Sequence, residues 1–212
     1  MSTTTVTENG EPIGGASQPI DKERRATLAM AAVAGGAGIV AAAVPFVASL
    51  MPSERAKAAG APVQADISGM APGEMRSFEW QGRPVWILNR TPQMLQSIKK
   101  VDGELSDAKS LRPGFPTPEY ARNEYRSIKP QYWVAIGICT HLGCSPVDRL
   151  AAQPEPFASD WRGGFYCPCH GSLFDLAGRV YKNKPAPDNL AVPPYKFVGD
   201  TKLIIGEDTQ GA

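Results

Sequence analysis

All four cysteines and both histidines of this 212-residue chain lie in two short segments. Thiolates and imidazoles bind soft metals, and two of each is a ligand set found in zinc sites and in one kind of iron–sulfur centre. The paired C-x2–4-C and H-x3–5-H spacing of zinc fingers is missing, because the two histidines are far apart. Each segment can therefore supply one thiolate, one imidazole and one further cysteine. The segments are residues 139–144 (Cys-Thr-His-Leu-Gly-Cys) and residues 167–172 (Cys-Pro-Cys-His-Gly-Ser).

Both segments resemble the ligand loops of the Rieske iron–sulfur subunits of bacterial cytochrome bc complexes. The resemblance implies that Cys139 and Cys167 bind one iron of a [2Fe-2S] cluster and that His141 and His170 bind the other. Because neutral imidazoles replace two anionic thiolates, such a cluster is easier to reduce than an all-cysteine cluster. It is therefore suited to a mild reductant such as a quinol.

The residues around these ligands extend the resemblance. It implies a disulfide between Cys144 and Cys169 and a hydrogen bond from Ser172 to a sulfur of the cluster or its ligands. The family pattern continues Gly-Ser-x-Tyr, whereas this chain has Phe174 at the tyrosine position. A hydroxyl donor to sulfur stabilises the reduced cluster, so we expect its loss to lower the reduction potential. Residues 184–187 (Lys-Pro-Ala-Pro) resemble the proline loop that covers a third side of the cluster.

The resemblance also implies a role in quinol oxidation. His141 or His170 would contact a quinol in a cytochrome b partner and accept its proton, while the cluster takes one electron and passes it to cytochrome c1. The second electron would go to haem b. The chain would then be one subunit of a dimeric, proton-translocating quinol:cytochrome c oxidoreductase, with Leu142 as an exposed apolar contact at the mouth of the quinol site.

Composition excludes one function class and favours a fold class. The chain has 22 basic and 21 acidic residues without a basic block, so nothing indicates nucleic-acid binding. Its 21 glycines and 20 prolines are typical of a loop-rich β domain rather than a helical bundle.

An uncharged segment near the N-terminus predicts a membrane anchor within residues 24–51, preceded by a cytoplasmic tail of residues 1–23. Residues 26–51 carry no charge, and as a helix they would extend roughly 39 Å, more than the hydrocarbon core of about 30 Å. A removable signal peptide is the alternative, since Ala56-Lys57-Ala58 has small residues at cleavage-site spacing, but its apolar region would be shorter. We expect a retained single span.

Two observations indicate the compartment. Arg24-Arg25 with the residues after them resembles a twin-arginine export signal, although Glu23 and Thr27 depart from that pattern, and a plain pair of membrane-flanking charges is the alternative. A disulfide also requires an oxidising environment. We therefore expect a bacterial inner-membrane protein with its cluster domain on the periplasmic side.

Residues 52–64 have the small and polar composition of a linker. In the family that the chain resembles, this segment is a hinge that lets the cluster domain swing. An ordinary spacer is the alternative.

From residue 65 to residue 208, strand-like runs alternate with turn signals and predict an antiparallel β-sandwich, with a small cluster-binding subdomain at about residues 139–190. Residues 91–130 interrupt the pattern with an inserted helical and loop segment. Thr91-Pro92 and Thr117-Pro118 each combine a cap candidate with a first-turn proline, which predicts two short helices. The predicted strands are Phe78–Trp80, Val85–Leu88, Tyr132–Ile138, Gly164–Tyr166, Tyr195–Val198 and Leu203–Ile205.

Three other functions remain open from the sequence. The small subunit of an arsenite-oxidase-type enzyme also combines a twin-arginine signal with a Rieske domain. A soluble dioxygenase ferredoxin would lack the anchor and the disulfide cysteines. A zinc-stabilised, membrane-attached binding module would have no redox role.

Overall fold

A computed structural model describes residues 21–53, 58, 60–115 and 117–208, which fall into two units divided between Ser53 and Glu54. The first unit is one helix, α1 (Lys22–Ser49), whose N-terminus is capped by the Asp21 carboxylate. None of its residues is buried, and it is long and apolar enough to cross a membrane. The predicted N-terminal helix is therefore confirmed, while residues 1–20 of the predicted tail lie outside the described residues.

Within its described residues, the second unit contains nine strands in three antiparallel sheets and one α-helix, α2 (Pro92–Lys100). The strand orders of the sheets are β1-β9-β8, β2-β3-β4 and β5-β6-β7. The strands are β1 (Val63–Asp66), β2 (Met75–Trp80), β3 (Arg83–Asn89), β4 (Tyr132–Ile136), β5 (Val147–Arg149), β6 (Gly164–Cys167), β7 (Ser172–Asp175), β8 (Tyr195–Val198) and β9 (Lys202–Ile205).

The β2-β3-β4 sheet is buried on both faces because alternate side chains of a strand point to opposite sides. On β3, Val85 and Ile87 face the β1-β9-β8 sheet. Trp86 and Leu88 face the β5-β6-β7 sheet. The first face encloses the base core: Ala65, Ile67, Met70, Trp80, Val85, Ile87, Ala121, Val134, Ile136, Val192, Tyr195, Leu203 and Ile205. The second face encloses the cysteine-side core: Trp86, Leu88, Ile98, Trp133, Ala135, Cys139, Phe165, Cys167, Phe174, Leu176, Ala177, Val180, Ala186 and Leu190.

The predicted antiparallel β-sandwich is confirmed, with some different boundaries. β1 begins at Val63, so the last two residues of the predicted linker are paired with β9. β4 ends at Ile136, two residues before the predicted end of that strand. Residues 54–57 and 59 of the linker lie outside the described residues.

One of the two predicted short helices is confirmed. α2 begins after Thr91, whose hydroxyl accepts a hydrogen bond from the Met94 amide. The prediction of a second helix is wrong, because Glu119–Ala121 form a 3-10 turn instead. The Thr117 hydroxyl instead accepts a hydrogen bond from the Arg126 guanidinium, so it does not cap a helix.

Candidate metal centre

The first cysteine–histidine segment forms a loop that connects β4 to β5. The Cys139 amide donates to the Cys144 carbonyl at 2.8 Å, and the Gly143 amide donates to the Cys139 carbonyl at 3.0 Å. Gly143 has a φ of 83°, a conformation that glycine adopts without strain. A side chain at Gly137 would place its Cβ 2.2 Å from the Trp86 ring, so the loop leaves the sheet against an aromatic side chain.

The second segment forms the tight connection between β6 and β7. Cys167 is paired with Ser172 across this hairpin, and the Gly171 amide donates to the Cys167 carbonyl at 2.9 Å. Behind it, the Phe165 ring stacks with the rings of Trp86 and Trp133 at centroid distances of 5.2 and 5.0 Å. Both loops therefore extend from strands that are fixed by a buried aromatic stack.

A disulfide between Cys144 and Cys169 joins the two loops, as the sequence resemblance implies. The sulfurs of these two residues and of Cys167 all lie within 4.8 Å of one another. Three adjacent sulfurs do not make a thiolate site here, because two of them are bonded to each other. Their closeness instead places the free Cys167 thiol directly beside the bridge.

The other free thiol, Cys139, is buried with Cys167. Burial raises the pKa of Cys139, and the neighbouring Cys167 raises it further, whereas the backbone of His141 and the hydroxyl of Ser172 lower it. Two thiols that would have to ionise side by side in an apolar pocket favour a bound cation as the compensating charge. Ser172 is fully buried, and its oxygen also accepts a hydrogen bond from the Ala186 amide at 3.0 Å.

The structure brings the two histidines together although 28 residues separate them in sequence. Their ring centroids are 4.7 Å apart, and their ring planes are nearly perpendicular, at 88°. The Nδ1 atom of His141 is buried and has no hydrogen-bond partner among the described residues. A buried imidazole nitrogen without a partner is costly unless it binds something, so this atom fits a metal ligand. His170 is exposed at the surface.

A third segment, residues 184–188, lies against both loops. The Thr140 hydroxyl donates to the Asp188 carbonyl at 2.6 Å, and Ala186 reaches Ser172 as described above. Arg112 belongs to the inserted segment, and its guanidinium donates to the Pro187 carbonyl. The segment that resembles a proline loop therefore lies where it can cover a group held between the two cysteine–histidine loops.

Two further residues singled out by the sequence have opposite environments. Leu142 is 71% exposed, next to His141, and Phe174 is completely buried in the cysteine-side core. Phe174 shares that core with Cys139 and Cys167.

Comparisons with known proteins agree with this geometry. Residues 62–195 match the model of the Rieske [2Fe-2S] domain family. The chain is 52% identical over 197 residues to the ubiquinol-cytochrome c reductase iron-sulfur subunit of Allochromatium vinosum, a match that covers 92% of this chain and 94% of the relative. The chain belongs to the Rieske [2Fe-2S] family.

A second bacterial relative agrees with this assignment. The protein of the same name from Blastochloris viridis is 41% identical over 192 residues, covering 90% of this chain and 96% of the relative. A chain of a hyperthermophilic respiratory Complex III aligns structurally with a TM-score of 0.44 and 24% identity, covering 83% of this chain and 98% of that one. The two sequence matches extend beyond the Rieske domain match and place this chain among the bacterial iron–sulfur subunits of that name. Its cofactor is a [2Fe-2S] cluster, and its donor set of two thiols and two imidazoles fits that group.

Two polar side chains that support the Rieske site from behind are not indicated by the sequence. The Thr140 hydroxyl donates to the Asp188 backbone carbonyl, and the Asn189 side chain accepts from the Val180 amide and donates to the Asp107 carbonyl. Single threonines and asparagines carry no sequence signal of such contacts. Only Thr140 lies within a ligand motif, so only its role could have been inferred from its place in the sequence.

Proposed function

We propose that this chain is the electron-transfer subunit of a quinol:cytochrome c oxidoreductase, with cytochrome b and cytochrome c1 as its partners. The observation that carries the proposal is the pairing of two cysteine–histidine loops by a disulfide, in a chain 52% identical over almost its full length to a ubiquinol-cytochrome c reductase iron-sulfur subunit. A quinol is the electron donor in this proposal, and the assembly is dimeric.

The proposed ligands are Cys139 and Cys167 for one iron and His141 and His170 for the other. Two buried thiols and the buried, unpartnered Nδ1 of His141 support this set. When bound, the [2Fe-2S] cluster accepts and releases one electron. The protein holds the cysteines in an apolar core and the histidines at the loop tips, where one of them is exposed.

The exposed position of His170 gives it a second role in the proposal. The residue is exposed, so a quinol hydroxyl docked there can donate a hydrogen bond to a deprotonated ring nitrogen and transfer its proton to it. His141 lies next to it and is the second candidate for this contact. Leu142 adds an exposed apolar surface beside the histidines, suited to an apolar docking site in the cytochrome b partner.

α1 and the disulfide support the proposed arrangement in the membrane. We propose that residues 24–51 are a retained single span of the bacterial inner membrane, after a cytoplasmic tail of residues 1–23. The domain of residues 65–208 lies on the periplasmic side, where the Cys144–Cys169 bridge is stable. Residues 52–64 act as the hinge between them.

Purification of the tagged full-length chain from its native membranes tests the proposed function. We expect both b-type and c-type haem absorption in the preparation, together with quinol-dependent reduction of cytochrome c. A Rieske signal without b haem would indicate an arsenite-oxidase-type partner, and a colourless preparation would indicate a zinc site. Either result would overturn the proposal.

A further inference from the structure

Three fully buried arginines meet at one turn, residues 175–179, which begins at the last residue of β7. We call it the β7 turn. Arg90, Arg126 and Arg179 are each no more than 2% exposed. Fully buried arginine is rare unless its charge is paired, so three of them at one turn require a physical explanation.

Arg126 binds carbonyl oxygens rather than a carboxylate. Its guanidinium donates to the carbonyls of Ala177, Gly178 and Leu190 at 2.9, 3.3 and 2.7 Å, and to the Thr117 hydroxyl at 2.8 Å. Its Nε has no hydrogen-bond partner among the described residues.

Arg90 is held in the same manner. It donates to the carbonyls of Leu176, Tyr125 and Pro130 at 3.2, 2.9 and 2.9 Å, and to the Ser127 hydroxyl at 2.8 Å. Both guanidinium groups thus contact the β7 turn through neutral oxygens.

The third arginine differs because it has anionic partners. Arg179 forms ion pairs with the buried Asp175 and the half-exposed Asp102, at 2.8 and 2.6 Å. Neither Arg90 nor Arg126 makes an ion pair in the described part of the chain, although the Asp175 charge favours the protonated form of both. Asp107 acts on Arg126 in the same sense. Burial lowers the pKa of Arg90 to about 9 and that of Arg126 to about 10, so both stay cationic at neutral pH.

These charges border the core that contains the proposed ligands. Leu176, Ala177 and Leu190, whose carbonyls bind the two arginines, belong to the cysteine-side core together with Cys139 and Cys167. The side chains of this core are buried, so charges at its border are screened less than charges at the surface. A change of charge at the cysteines therefore acts on the guanidinium groups through a medium of low polarity.

We propose that the buried charges of Arg90 and Arg126 stabilise the reduced form of the cluster and so raise its reduction potential. Reduction adds one electron and one negative charge at the cluster, with no bond formed or broken. A fixed positive charge at the β7 turn attracts the added charge and does not need to reorganise. Both arginines act on the cluster through their electric field and not by contact, so they are positioning residues and not ligands. The inference rests on the proposed ligand set of Cys139, His141, Cys167 and His170.

The alternative is that the two arginines only hold the β7 turn in shape. At pH 6 a buried lysine keeps its charge although burial lowers its pKa, but it cannot reproduce the forked contacts, whereas glutamine can donate to a carbonyl but has no charge. The Arg→Lys and Arg→Gln pair at each position therefore separates charge from geometry.

The experiment is a redox titration at pH 6 of the full-length protein in detergent, followed by its EPR signal, for R90Q, R90K, R126Q and R126K. We expect each Gln variant to reduce the equilibrium constant for reduction about two- to tenfold, where tenfold corresponds to about 59 mV for one electron. The Lys variants should stay close to the natural protein. R162Q is the matched control, because Arg162 is exposed and water screens its charge, so the potential of this variant should stay unchanged.

Two results would overturn the inference: unchanged potentials in both Gln variants, or Lys variants whose potentials fall as far as those of their Gln counterparts. If R126Q does not load a cluster, R90Q and R90K decide by the same comparison. Absence of a Rieske EPR signal from the unsubstituted protein would instead contradict the ligand set on which the inference rests.

Discussion

The base core and the cysteine-side core share the β2-β3-β4 sheet but differ in what their side chains contribute. The base core consists of apolar side chains contributed mostly by two sheets, and it contains no cysteine or histidine. The cysteine-side core contains both free thiols, and it is bordered by the β7 turn with its buried guanidinium groups. The comparison indicates that one face of the sheet provides stability and the other positions chemistry. Substitutions on the two faces should therefore affect different measurements.

The largest effect is expected from removing a proposed ligand. His170→Ala deletes one of two imidazoles that no other histidine in the chain can replace. We expect complete loss of the Rieske EPR signal and of the visible absorption, while the β-sandwich remains folded because His170 is exposed and outside both cores. EPR and far-ultraviolet circular dichroism of the full-length protein measure the two properties. A normal EPR signal in this variant would show that His170 is not a ligand.

The reverse result is expected on the other face. Ile87 is completely buried in the base core, and Ile87→Ala should destabilise the protein by about 2–5 kcal/mol through lost burial and a residual cavity. Thermal denaturation measures the loss of stability. The variant should keep the line shape of the EPR signal below its melting temperature. An altered signal would show that the two faces are coupled, and the division of roles would be wrong.

The next effect concerns the bridge between the two loops. The double variant C144S/C169S removes a disulfide that links residues 25 apart, and we expect a loss of about 2–4 kcal/mol of stability. Because the loops also keep their own hydrogen bonds at Cys139 and Cys167, some cluster should still assemble. Loss of the visible spectrum over time measures how firmly it is held. A cluster as durable as that of the natural protein would contradict a structural role for the bridge.

Apolar runs predicted much of this fold, and the exceptions are short or polar strands. β3, β4 and β9 are rich in β-branched and aromatic residues, so their pattern was readable. β1 (Val-Gln-Ala-Asp) and β5 (Val-Asp-Arg) each have at least two exposed polar residues and were not predicted as strands. β7 is not among the predicted strands because Ser172–Asp175 overlap the second ligand motif, although all four residues are buried.

The candidate site also has a part that could be predicted from the sequence and a part that could not. The cysteine and histidine motifs identified the residues and the disulfide, since metal ligands have characteristic types and spacing. The arginines of the β7 turn gave no such signal. The contact from Arg126 to the Ala177 carbonyl joins residues 51 apart, and backbone carbonyls carry no side-chain identity that a sequence could reveal. Folding brings these groups together, so only the structure shows them.

The smallest effect tests a departure from the family pattern within the cysteine-side core. Phe174 is completely buried in the core that contains Cys139 and Cys167, and it stands where the family pattern has tyrosine. Phe174→Tyr adds one hydroxyl that can donate to a sulfur and stabilise the reduced cluster. One such bond is worth about 1 kcal/mol, which corresponds to a rise of about 40 mV in the potential of a one-electron couple.

Two further variants sharpen this test by separating the cysteine-side core from the base core. Ser172→Ala removes a hydroxyl that already lies beside the Cys139 sulfur, so it should lower the potential. Phe197→Tyr adds the same hydroxyl to a ring packed against the base core and should leave the potential unchanged. Redox titration of the full-length protein measures all three variants. The contrary outcome is that the potential of Ser172→Ala falls as expected while that of Phe174→Tyr stays unchanged or falls. In that case the new hydroxyl does not reach a sulfur, and Ser172 but not residue 174 influences the potential.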